Sequence, residues 1–141
     1  MKNIFIILVA LSSIIGKSQT KKVIFNNNSN QLKRVWMLIE FQKFKKEELI
    51  KNQAQLNLSN FNSVSANLGC NQIGLKINFI KNKIRFNNVI ATEMYCEKKM
   101  DLENAFSKSI SDNFKYKING HKLTLINSKR EKMVFIAQDW D

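Results

Sequence analysis

No proline occurs anywhere in the 141 residues, and no repeat or long linker divides them. With only four glycines, the chain has no glycine-rich loop to cradle a phosphate. One histidine, His121, and two cysteines, Cys70 and Cys96, fall short of the four ligands that a structural zinc expects. The same scarcity leaves a cysteine nucleophile without a base, because His121 directly follows Asn119-Gly120 and is expected to face solvent as a hairpin residue. Arginine is nearly absent too. Only three of 23 basic residues are Arg, the side chain suited to bidentate base and phosphate contacts. The formal charge of +12 therefore rests on scattered lysines, and Asn, Ile and Lys share AT-rich codons, so compositional drift explains it as well as any partner. Nucleic acid is not an expected partner; weak attraction to an anionic surface is allowed.

The start of the chain, "MKNIFIILVALSSIIGKSQTKK", has a positive Lys2, an apolar run from Ile4 to Ile15, and small residues at Gly16 and Ser18. That is the pattern of a secretory signal peptide over residues 1–18, cut before Gln19. The competing reading is a buried N-terminal core helix. A membrane span needs about 20 apolar residues, which this run does not supply. No cysteine lies near the cut to carry a lipid, so the expected product is exported, periplasmic or secreted, and soluble. Without Lys2 and Lys17 the charge falls to +10, and the remaining 123 residues suit one domain with a real core. Residues 19–31 are polar and Asn-rich apart from Val23-Ile24-Phe25, and read as a flexible lead-in with room for one short edge strand.

From Leu32 to Asp141 the pattern is mostly strands. "RVWMLIEF" is β-branched and aromatic, ending near Phe41, and "KFKKEELIKN" suits a loop or a single helical turn. "AQLNLS" and "FNSVSANL" alternate, with Leu56 and Leu58 on one face. "LKINFI" and "KIRF" flank Lys81-Asn82, where Asn tolerates positive φ; "FKYKI" and "KLTLI" flank Asn119-Gly120, a strong hairpin signal. "KMVFIAQ" closes the chain. In "DLENAFSKSISDN" the period changes: Leu102, Ala105, Phe106, Ser109 and Ile110 form one apolar helical stripe, with Asp101 as the expected N-cap. The fold class is mainly β (α+β): about eight short antiparallel strands in a small, partly closed barrel-like sheet, with one amphipathic helix over an open end or face.

Five segments in order resemble the META domain, or HslJ-like, family: Trp36-Met37-Leu38, Gly69-Cys70-Asn71, "ATEMYC" from Ala91, Glu103 to Phe106, and Leu123-Thr124-Leu125. The resemblance spans roughly Arg34 to Ile136. Departures lie around the Gly-Cys-Asn turn: Ser65-Ala66-Asn67 stands where the family usually has a glycine, Gly74 comes early, and an aromatic near Ile77 is missing. Several relatives are lipoproteins, which this chain's cysteines do not support. The resemblance implies an association with heat or envelope stress without a known biochemical activity. It also implies likeness to secretion pilotins, which bind a hydrophobic tail of a partner.

Cys70 and Cys96 enclose 25 residues, and in an exported chain a disulfide between them is favoured, with two buried free thiols as the alternative. Asn71 and Thr92 flank the cysteines, and a structural role, capping and satisfying backbone groups, is favoured over lining a binding site. Gly74, Met94 and Glu103 complete the family motif set. Trp36, Phe79, Phe86, Met94, Phe114 and Phe135 read as core. Glu47-Glu48 and Glu93-Glu97 read as charged surface, and Ser63 and Ser65 have no oriented base. No catalytic residue, metal or cofactor is expected. The favoured function is a non-catalytic envelope binding or stability factor. The alternative is a small carrier or pilotin-like chaperone holding a lipid or hydrophobic peptide in a barrel cavity; a hydrolase would have to rest on His121.

Overall fold

The computed structural model describes residues 29–139 apart from Lys98. The signal-peptide reading of residues 1–18, and the lead-in as far as residue 28, lie outside the described residues. Eleven elements follow in chain order: α1 Ser29–Leu32, β1 Val35–Phe41, α2 Lys46–Lys51, β2 Gln55–Asn57, β3 Val64–Asn67, β4 Gln72–Ile80, β5 Lys83–Ala91, α3 Met100–Ile110, β6 Asn113–Asn119, β7 Lys122–Ile126 and β8 Lys132–Ala137. Each strand pairs antiparallel with the next, and β8 returns to β1, so the eight strands form a closed barrel. Closure leaves no continuous free edge, the hazard of an open sheet of short strands.

Alternation along each strand sends one set of side chains inward. Trp36, Leu38, Leu56, Leu58, Ile73, Ile84, Phe86, Phe114, Leu123, Leu125 and Phe135 are buried in a single core. In β1 the register shifts between Leu38 and Glu40. This one-residue bulge lets both Leu38 and Phe41 point inward although they are an odd number apart. A second shift between Gly74 and Lys76 gives β5 an extra residue against β4. Beyond Arg85 no β6 residue pairs with β5. There the chain leaves the barrel wall and returns through α3.

Leu102, Phe106 and Ile110 enter the core, and Phe106 meets Phe41 edge-on with centroids 6.1 Å apart. Gln42 Nε2 donates to Ser109 Oγ at 3.0 Å. Gln42 follows β1, and the β3–β4 loop and the β7–β8 loop open at the same end, so α3 covers that end of the barrel. At the other end Leu32 of α1 is fully buried, and its carbonyl accepts the Trp36 indole N–H at 2.9 Å. A buried indole needs such an acceptor.

Several local expectations are corrected. Asp101 lies inside the first turn of α3 and is not its N-cap; Lys99 holds that position, with no side-chain cap. At the β4–β5 turn the positive φ belongs to Lys81 (55°), not Asn82. Asn119 pairs with Lys122, so the β6–β7 turn is Gly120-His121, with Gly120 at φ 59°. His121 is half-buried, its Nδ1 3.4 Å from Arg34 Nη1 and its carbonyl accepting from Ala137 N–H. Phe79 and Met94 are not core: they are 44% and 56% exposed. Phe79 stands at the β4 terminus and meets Phe61 of the β2–β3 loop instead.

Candidate functional site

The β3–β4 connection, Leu68 to Asn71, is shaped by one glycine. Gly69 has φ +103°, and a Cβ there would sit 3.0 Å from both Cβ and the carbonyl oxygen of Asn52, at the end of α2. Its N–H donates to Asn67 Oδ1 at 2.7 Å, and its carbonyl accepts from Lys99 Nζ at 2.9 Å. The turn brings Cys70, itself buried, to Cys96, and the two are joined in a disulfide with their Cα atoms 6.0 Å apart.

Next to the bridge, Asn71 is buried and uses both ends of its amide. Its Oδ1 accepts from Met94 N–H at 2.8 Å and from Thr92 Oγ1 at 2.7 Å, while Nδ2 donates to the Met94 carbonyl at 3.0 Å. A side chain thereby mimics a strand partner for residues 92–94, extending the ladder past β5. Thr92 adds its own link, accepting from Gln72 N–H at 3.2 Å while its backbone N–H reaches the Gln72 carbonyl.

Glu103 holds Asn71 from the other side. It is 5% exposed, and its two oxygens take the Asn71 backbone N–H at 2.8 Å and Nδ2 at 2.7 Å. Among the described residues it makes no ion pair. A buried carboxylate needs donors, and it also sits in the first turn of α3, where the exposed N–H groups favour negative charge. The signal for this burial was its phase: Glu103, Phe106 and Ile110 lie on one helical stripe, and an acid on an apolar stripe requires a partner inside.

Thus Gly69, Cys70, Asn71, Thr92, Met94, Cys96 and Glu103 converge. The other expected residues do not join them. Trp36 and Phe106 are core, and Gly74 lies in β4 opposite Ile90, where a Cβ would find an ordinary 3.6 Å contact. What the clamp holds is an irregular segment whose own side chains point out: Tyr95 is 81% exposed, Met94 56%, and the nearby Ile90 73%. Between this segment and the start of α3 runs an open groove of about 320 Å³ with Met100 and Glu103 on one wall. Among the described residues no cluster of His, Cys, Asp and Glu could hold a metal. The arrangement fixes shape and displays apolar side chains; it offers no nucleophile beside a base.

A family model described as the META domain matches residues 30–140. No curated protein matches the chain. Two proteins with structures solved by NMR share the fold. One is 14% identical, with a TM-score of 0.56 over 79% of this chain and 95% of its own. The other, from Burkholderia xenovorans, is 15% identical, with a TM-score of 0.60 over 80% of this chain and 88% of its own. At such identities the likeness concerns the fold alone.

Proposed function

Because the chain belongs to the META domain family, we propose that it is an exported, non-catalytic binding factor of the cell envelope, working in the stress setting that the family resemblance implies. The carrying observation is the mismatch between how firmly residues 92–96 are held and where their side chains point. A disulfide, the Asn71 amide and the buried Glu103 all fix this segment. Met94 and Tyr95 nevertheless contribute little to the core, so the order serves presentation to a partner protein. Rigid, exposed aromatic and Met side chains are what binding surfaces favour.

Export is supported by the bridge itself, since oxidising compartments are where such bonds persist. No helix among the described residues is long and apolar enough to cross a membrane. The carrier reading has less support. Trp36, Leu38, Leu56, Phe106, Leu123 and Phe135 are fully buried in one core, so large side chains of the chain itself occupy the space that a ligand would need.

The test is a photo-crosslinking residue at position 95 in cells of the native host, with position 60, on the loop at the other end, as control. A discrete adduct from position 95 alone, lost when both cysteines are serine, supports the reading. Adducts equal at both positions, or none, refute it.

A further inference from the structure

We infer that the outward groove between β5, β6 and the β7–β8 loop is a binding site for a phosphate-type oxyanion. This is separate from the clamped segment and independent of the reading given for it. The groove, about 390 Å³, is lined by Lys83, Lys115 and Arg130, together with Asn113, Asn127 and Ser128. Among the described residues it has no carboxylate in its walls.

Two features make this more than scattered surface lysine. Lys83 stands directly opposite Lys115 in the β5–β6 ladder, one of only three pairs joining those strands. Like charges in that position repel at close range, and a bound anion would turn the repulsion into a chelating pair. The backbone that carries the third cation, Arg130, is held in place. Asn127 is buried and accepts Glu131 N–H on Oδ1 at 2.9 Å, while its carbonyl takes Arg130 N–H at 3.1 Å. Its Nδ2 donates to Asp112 Oδ2 at 3.0 Å and to Glu131 Oε2 at 2.7 Å. These two acids are therefore drawn onto one amide. They line a separate depression with Lys108 and Lys129. Three cations therefore line a polar groove whose own walls carry no carboxylate, with Asp112 and Glu131 engaged by the Asn127 amide. An oxyanion with several acceptor oxygens fits, either as a free phosphate compound or as a phospholipid headgroup.

The full chain, isotope-labelled, is titrated with inorganic pyrophosphate and followed by amide chemical shifts. In parallel it is sedimented with phosphatidylglycerol–phosphatidylcholine vesicles and with phosphatidylcholine alone. Saturable, salt-sensitive shifts at Lys83, Asn113 to Lys115 and Asn127 to Arg130 are expected. The double variant Lys83→Gln/Lys115→Gln should weaken binding by about tenfold or more, as loss of charge-assisted hydrogen bonds implies. The distant Lys46→Gln should not. The double variant should melt no lower than the parent, because it removes a repulsion, so lost binding cannot be blamed on unfolding. Sedimentation only with the anionic vesicles, reversed by pyrophosphate, assigns a headgroup; saturation without sedimentation assigns a small soluble anion. Unsaturable shifts spread over lysines on every face, or equal weakening by Lys46→Gln, would overturn the proposal.

Discussion

Asn71 gives its whole amide to its neighbours, and Glu103 accepts from Asn71 through both its backbone N–H and its side chain. Removing that side chain strips one of two donors from a buried carboxylate, and the one oxygen that accepts from both Met94 N–H and Thr92 Oγ1. Asn71→Ala is therefore expected to cost about 3 kcal/mol, measured by denaturant unfolding, well above the cost of losing one neutral hydrogen bond. The glycines separate by the same local reasoning. Gly69→Ala combines a left-handed φ with 3.0 Å contacts to Asn52 and should cost roughly 2–4 kcal/mol. Gly120→Ala, at φ +59° in open space, should cost about 1 kcal/mol, and Gly74→Ala should lie within about 0.5 kcal/mol of the parent. Melting the three variants together checks the order. A Gly74 effect as large as that of Gly69 would contradict the account. At this scale the sequence was legible where chemistry is local, as at Asn71, and less so where neighbours decide. Phe79 and Met94 carry core-like side chains, yet one ends a strand and the other leaves the barrel wall.

At the scale of elements, the staple and the clamp act on the same segment. Linking Cys70 to Cys96 restricts a loop of 25 residues in the unfolded chain, worth about 3 kcal/mol in the chain-entropy model. Cys70→Ser should lower stability by that order, and Cys96→Ser in the same background should add almost nothing, since either change breaks the one bond. Two losses that simply add would argue against a shared bridge. Amide exchange offers a second check: on reduction, residues 92–97 should lose protection while β6, β7 and β8 keep theirs. Period-two alternation revealed the strands because each has one face in the core. The two bulges were invisible, as they depend on what the partner strand must accommodate. α3 was recognisable from its stripe, but its start was not, because Asp101 resembles a cap while packing begins the helix at Met100.

For the whole molecule, β8 pairing with β1 turns a run of hairpins into a barrel, α3 covers one end, and Leu32 with Trp36 fills the other. The inward side chains of the described strands pack into one buried core. On the outside the chain divides its surface: an apolar rim at Ile90, Met94 and Tyr95, and a cationic groove across β5 and β6. The sequence showed the strand count and the helix but not complete closure, which depends on a pairing between the first and last strands that no local pattern encodes. The central claim is an exported barrel whose disulfide fixes its presenting segment, and the most direct test is the intact mass of the protein recovered from its native host without reductant. The account predicts a chain that begins at Gln19, is two hydrogens lighter than after reduction, and resists iodoacetamide until reduced. A chain still carrying residues 1–18, or one whose two thiols label freely before reduction, would contradict it.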